Sequence, residues 1–260
     1  MDINPKFSII TVVYNGESSI EKTILSVINQ SYSNIEYIIV DGQSKDRTIE
    51  IIKKYRDRVS KIVSEKDDGL YYAMNKGINL ATGEYVWFIN SGDEIYSHTI
   101  IEEIVKLIKE REILPEIIYG KIALYGNKGE FVKIPKIPKK INSYTITKGM
   151  LISHQAFIVH RNIIEYYNTD YKSASDQDWI IRMLKKSKEV FNTNIVISKY
   201  IIGGSSYKNF FLNWKERLKI IKSHFPIYYY IKNLFYFLIN YIKFFIKQKI
   251  FKKDYIFKQK

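Results

Sequence analysis

At 260 residues, with 46% hydrophobic and 15% aromatic content, the chain can bury one substantial core and an appendage. It has no cysteine, which excludes a disulfide framework or a thiolate metal site and suits a reducing compartment. The net charge of +14 is uneven, because residues 201–260 hold 13 Lys+Arg against 2 Asp+Glu, a balance that suits a nucleic acid or an anionic lipid surface as partner.

The opening "MDINPKFSIITVVYNG" has an apolar run only from Phe7 to Val13, with no basic leader and no small-residue cleavage site. It reads as a first strand in a cytoplasmic protein. Three further runs, at 35–40, 60–64 and 84–89, are short and rich in β-branched and aromatic residues, as buried parallel strands are. Between the first two, Ile20, Ile24, Val27 and Ile28 recur at helical spacing behind Ser18 and Ser19; between the next two, Ile49, Ile51, Ile52 and Tyr55 follow Asp46. Strands alternating with helices predict an α/β fold around a mostly parallel sheet.

After a helix marked by Ile100, Ile101, Ile104, Val105 and Ile108 the order changes. "EIIYGKIALYGNKGEFVKI" reads as a hairpin turning at Gly126 to Gly129, which predicts antiparallel pairing and a wall on the acceptor side. "SDQDWIIRMLKK" opens a helix with acids in its first turn and bases in its last. From Asn209 the chain turns helical, aromatic and lysine-rich. Its apolar stretch is broken by Lys232, Asn233, Asn240 and Lys243, which suits a basic amphipathic helix in a lipid headgroup layer better than a membrane span. A helical cap packed on the preceding domain is the alternative. The division expected is 1–205 and 206–260.

Polar residues gather where the strands end. The first run stops at Tyr14-Asn15, the second at Asp41-Gly42 and the fourth at Asn90-Ser91-Gly92-Asp93. Such residues also initiate turns and cap helices, but three coincident strand ends point to the carboxyl edge, where open α/β sheets bind ligands. Acids at two strand ends and another on a later helix suit transfer from a nucleotide sugar, which needs a gripped nucleoside, a neutralised diphosphate and a base for the acceptor hydroxyl.

Residues 5–205 resemble the inverting glycosyltransferases of family two, which have the GT-A fold. "SIITVVYNGESSIEKTILSVINQSYSNIEYIIVDGQSKDRT" is similar to the family's nucleotide-binding half, which implies nucleotide-sugar contacts for Thr11, Tyr14, Asn15 and Asp41. "SEKDDGLYYAMNKGINLATGEYVWFINSGD" resembles a bacterial subgroup with an Asp-x-Gly-x-Tyr-Asp-Ala-Met-Asn-Lys-Gly loop, adding Asp67, Asn75 and Lys76; Tyr72 stands where that loop has Asp. Where many members have Asp-x-Asp-Asp, this chain has Asn90-Ser91-Gly92-Asp93, so the resemblance leaves Asp93 as ligand for Mn²⁺ or Mg²⁺, with His154 as a further lining residue. "SASDQDWIIRM" is similar to the acceptor-side block and places the catalytic base at Asp176, with Asp178 as runner-up. Two residues apart on a helix, these carboxylates point about 200° apart and cannot both face one hydroxyl.

What the resemblance implies is inverting transfer from a nucleotide-sugar donor to a lipid-linked or glycan acceptor in surface polysaccharide synthesis, by a peripheral protein on an anionic inner membrane face. The chain lacks the Gln-x-x-Arg-Trp block of processive members, which favours single-sugar transfer. P-loop, dinucleotide and zincin motifs are missing as well. Two other readings stand beside this one: a nucleic-acid-binding protein, against which the basic charge lies on a tail of Phe, Tyr and Ile, and a non-catalytic scaffold, suggested by Tyr72 and Gly92.

Overall fold

Phe7–Val13 is buried at every position and forms β1, as its unbroken apolar run predicts. In the computed structural model, which describes residues 4–111, 113–126, 128–149, 151–202, 210–236 and 238, β1 lies between two parallel partners. These are β2 (Ile35–Asp41) and β4 (Tyr85–Phe88), and β3 (Lys61–Ser64) extends the parallel set beyond β2. The crossovers carry α1 (Ile20–Ile28), α2 (Thr48–Lys53) and α3 (Leu70–Leu80), since parallel neighbours cannot be joined by a tight turn.

Side chains alternate across β1. Phe7, Ile9 and Val13 join Ile20, Ile24 and Val27 of α1 on one face, while Ile10 and Val12 join Met74 and Ile78 of α3 on the other. Each face of the sheet therefore has its own core. Helix α3 presses closely: a Cβ on Gly77 would lie 2.5 Å from Ile10 Cγ2, so only glycine permits this approach.

Past β4 the strand directions change. β8 (Phe157–His160) runs antiparallel to β4 and to β6 (Ile117–Tyr125), whereas β9 (Val190–Ile201) runs parallel to β6 and takes the short β5 (Glu94–Ile95) antiparallel on its far side. The sheet order is β3-β2-β1-β4-β8-β6-β9-β5. The predicted hairpin forms, with β7 (Phe131–Lys133) antiparallel to β6; Asn127 in its turn lies outside the described residues.

Helices α4 (Ile100–Lys109) and α5 (Ser175–Lys186) lie on opposite faces of the sheet: α4 packs with the α1 core, α5 with the α3 core. In α5, Trp179 is fully buried, stacks on Tyr167 with centroids 4.8 Å apart and donates its indole N–H to Glu165 O at 2.7 Å. Truncating such a residue costs about 3–5 kcal/mol. Helix α5 is thus anchored in the core through Trp179.

The last described elements are α6 (Phe210–His224) and a helical stretch at 227–236. Ile220, Ile221 and Phe225 are buried in the same core as Trp179, with Tyr229 and Tyr230 packed against it. Residues 210–225 therefore form part of the domain's packing. Ile227, Tyr228, Ile231, Leu234 and Phe235, by contrast, are exposed. No helix among the described residues is long and apolar enough to cross a membrane. Most of the expected headgroup helix, including Lys243, Lys247, Lys249, Lys252 and Lys253, lies outside the described residues.

Candidate active site

The carboxyl ends of β1, β2 and β4 lie side by side because the three strands are parallel neighbours. Asp41, the last residue of β2, is fully buried and accepts hydrogen bonds from Ser44 N at 3.0 Å, from Ser64 Oγ at 2.6 Å and from the Ser44 hydroxyl. Ser44 Oγ accepts in turn from Asn15 N at 2.8 Å, and Asn15 Oδ1 accepts from Lys45 N at 2.8 Å. Asn15 holds φ at +50°, a conformation Asn tolerates better than most residues. Asp41 and Asn15 thereby tie the loops after β1 and β2 into one floor.

Above this floor Tyr14 is 63% exposed, its ring 3.4 Å from the point a Cβ on Gly42 would occupy. Asp67 Oδ2 lies 3.6 Å from the same point. The Asp67 side chain is almost buried; its Oδ1 pairs with Lys76 Nζ at 2.7 Å, while its Oδ2 has no hydrogen-bond partner among the described residues. Lys76 also pairs with Glu65 at 2.7 Å. A buried carboxylate with one unpartnered oxygen, beside an exposed ring and a bare glycine, suits a flat ligand with an N–H donor.

Thr11 and Asn75 are spent on the protein itself. Thr11 is fully buried beneath the floor and donates to Ile89 O at 2.7 Å, with Tyr37 Oη 3.1 Å away. Asn75 clamps the Tyr167 backbone, donating to its carbonyl at 2.9 Å and accepting from its N–H at 2.7 Å.

The turn after β4 brings Asp93 in. Gly92 takes φ of +99°, where a side chain would be strained, so this turn offers its one carboxylate at Asp93. Thr23 of α1 fixes the turn by accepting from Gly92 N at 3.0 Å and donating to Asp93 O at 2.8 Å. Asp93 Oδ2 accepts from Gln155 Nε2 at 2.8 Å. Burial pushes the Asp93 carboxyl up to about 7, outweighing the Gln155 hydrogen bond and the charge of His154, which pull it down. Glu94 is engaged elsewhere, 3.1 Å from Lys199.

His154 links this turn to α5. Its Nε2 lies 3.0 Å from Asn90 Nδ2 and its Nδ1 3.6 Å from Asp176 Oδ2. A tautomer in which Nε2 accepts from the amide carries its ring proton on Nδ1, on the side of the carboxylate. Asp176 keeps a quarter of its side chain exposed, and its Oδ1 accepts from Gln177 N at 2.9 Å. Asp178 is different: Arg182 Nε at 2.8 Å and His224 Nε2 at 2.7 Å occupy its two oxygens. Burial opposes its charge, but those two partners hold the carboxyl below the usual range. Of the pair, Asp176 is the one with room for a substrate.

The sequence model of Glycosyl transferase family 2 matches residues 8–167, which include the floor, the Asn90–Asp93 turn and His154. The chain belongs to glycosyl transferase family 2. It is 28% identical over 241 residues to an uncharacterized glycosyltransferase of Haemophilus influenzae, covering 87% of this chain and 94% of that one. Similarity to a PGL/p-HBAD biosynthesis glycosyltransferase of Mycobacterium bovis is 27% over 206 residues, 75% of this chain and 77% of the relative. Among solved structures, S. aureus TarS 1-349 in complex with UDP aligns with a TM-score of 0.65 at 21% identity, over 84% of this chain and 65% of TarS 1-349. The Pyrobaculum calidifontis mannosyltransferase PcManGT, in complex with GDP-Man and Mn²⁺, aligns with a TM-score of 0.61 at 15% identity, over 85% of this chain and 64% of that one. The fold is GT-A, as the sequence leads one to expect.

Among the described residues of this family-2 glycosyltransferase, no three acids or histidines cluster closely enough to hold a cation by themselves. Asp93 nonetheless fits as a single protein ligand. Gln155 occupies one oxygen and leaves the other, and a buried carboxyl short of positive charge gains from a cation shared with donor phosphates and water.

Sequence reasoning missed Gln155, Glu216 and His224. Gln155 adjoins His154, so its neighbourhood was a signal. Glu216 has no local signature: from α6 its carboxylate accepts from Lys172 N and Ser173 N at 2.8 Å and from Ala174 N at 2.9 Å, gripping the segment that leads into Asp176.

Proposed function

We propose that this family-2 enzyme moves one sugar from a nucleoside-diphosphate sugar to an acceptor hydroxyl with inversion, Asp176 serving as base and Asp93 as the protein's ligand to Mn²⁺ or Mg²⁺. The observation that supports it is the meeting, at one sheet edge, of a floor suited to a nucleobase, a charge-starved carboxyl and an open carboxylate braced on a helix. Tyr14, Gly42 and Asp67 would take the base. When bound, the cation neutralises charge gathering on the departing diphosphate. Asp176 accepts the acceptor hydroxyl's proton as that oxygen attacks the anomeric carbon, and the nucleoside diphosphate leaves with the electrons of the cleaved bond. His154 holds the Asp176 carboxylate in place. Attack from the face opposite the leaving group inverts the carbon.

Thermal shift with UDP-, GDP- and dTDP-sugars plus Mn²⁺ is expected to single out one donor class, since a ligand of the native state raises its stability. NMR of the product formed from that donor should then show the opposite anomer. Retention would refute the mechanism, and a flat response to every donor would refute the donor assignment.

The acceptor is read as a lipid-linked glycan of surface polysaccharide synthesis, met at an anionic bilayer. Support comes from the exposed apolar residues between Ile227 and Phe235, from the lysine-rich sequence that follows, and from the mycobacterial relative named for PGL/p-HBAD biosynthesis. Full-length protein should float with anionic vesicles at low salt and less so at high salt. Failure to float at low salt removes the membrane reading and leaves the chemistry untouched.

A further inference from the structure

Helix α6 turns a polar stripe toward the segment that carries Asp176, with Asn213, Glu216, Arg217 and His224 at helical spacing. Three of these are consumed by that segment. Asn213 Nδ2 donates to Ser173 O at 3.0 Å, Glu216 takes the backbone N–H groups of residues 172–174, and His224 meets Asp178. Arg217 is the exception. Its guanidinium lies over the Trp214 ring, 5.0 Å from the centroid, and Nη2 is 3.5 Å from where a Cβ on Gly149 would stand. Among the described residues it shows no hydrogen bond or ion pair.

The surroundings are those of an anion site. Burial works against the Arg217 charge, and the carboxylate that most favours it is Asp176, although no ion pair joins the two. A guanidinium carries five N–H donors in a fork that matches two phosphate oxygens, and no acceptor among the described residues takes those of Arg217. Gly149, at φ of +128°, supplies the facing wall without a side chain, which keeps the fork's approach open.

We propose that Arg217 forms a phosphate subsite on the wall that α6 contributes next to the segment leading into Asp176. It rests on the glycosyltransferase reading above and adds a group to it. The phosphate has two sources with the same chemistry: the diphosphate of the donor, or a phosphate in the anchor of a lipid-linked acceptor.

Calorimetric titration of wild type, Arg217→Met and Arg217→Gln separates them. The probes are UDP, GDP and dTDP with Mn²⁺, then geranyl diphosphate against geraniol as short stand-ins for a phosphorylated and a neutral anchor. If the donor fills the subsite, nucleotide Kd weakens about 10- to 100-fold in both variants, the range for one charge-assisted contact. If the acceptor anchor fills it, nucleotide Kd holds, geranyl diphosphate weakens about 10-fold or more, and geraniol is unaffected. Unchanged binding of nucleotide and geranyl diphosphate in either folded variant overturns the subsite, as does equal weakening of geranyl diphosphate and geraniol. Melting temperature identifies which variants fold, and the uncharged but polar Gln variant serves if the Met variant does not. Wild-type protein that binds none of UDP, GDP and dTDP would sink the donor assignment on which this inference rests; binding that ignores Arg217 sinks only this inference.

Discussion

Asp176→Asn is expected to bind donor within about twofold of wild type and to turn over about 10²- to 10⁴-fold more slowly, the usual range for loss of a positioned base. The amide is isosteric, so α5 and its contacts with Gln177 and His154 should survive. The neighbouring change Asp178→Asn should behave differently. There the carboxylate balances Arg182 and His224 in a nearly buried position, so the loss should appear first in melting temperature. Single-turnover rates and melting curves of the two variants make the comparison. Full activity in Asp176→Asn with a large kinetic loss in an equally stable Asp178→Asn would reverse the assignment.

Asp93→Asn is expected to abolish the Mn²⁺ dependence of donor binding while the fold persists. The sign of its pH dependence follows from the raised value of about 7, since the folded carboxyl holds its proton more tightly than the unfolded one. Ligand-free stability should therefore be greatest below pH ~4 as far as this group is concerned, and should fall by up to roughly 4 kcal/mol as pH rises through about 7. Cation binding runs the other way, because it requires the ionised form. Mn²⁺-dependent donor affinity in wild type should rise across that same interval, and the rise should vanish in Asp93→Asn. Calorimetry from pH 6 to 8 reads this directly. A variant that keeps both its metal requirement and its pH slope would place the cation elsewhere.

Much of this architecture was legible because local pattern and global position agree. β1 and β4 are continuous apolar runs since both faces of the sheet are covered, and their polar ends are visible because nothing apolar is needed beyond the last buried pair. The same logic picked out Asp41 and Asp93. It could not foresee their uses: Asp41 anchors two serines from within the floor, and Asn75 serves a backbone 92 residues further on. It did foresee a helix from Asn209, with a packed cap as the alternative, but not what that helix would grip. The aromatic and lysine-rich composition of that region describes the exposed stretch at 227–236 well, while the buried stripe at Glu216, Ile220 and His224 depends on partners across the fold. Periodicity shows that a helix has a face, but not which loop the face will grip.

The grip of Glu216 on residues 172–174 has a practical side. The nucleotide floor is built from β1, β2 and α3, and α6 makes none of the contacts that hold it. Loss of the Glu216 grip alone would therefore reach the Asp176 carboxylate and leave the nucleobase floor intact. Such a protein would still hold the nucleobase, and every preparation or variant that disturbs Glu216 needs to be judged by product formed and not by ligand held.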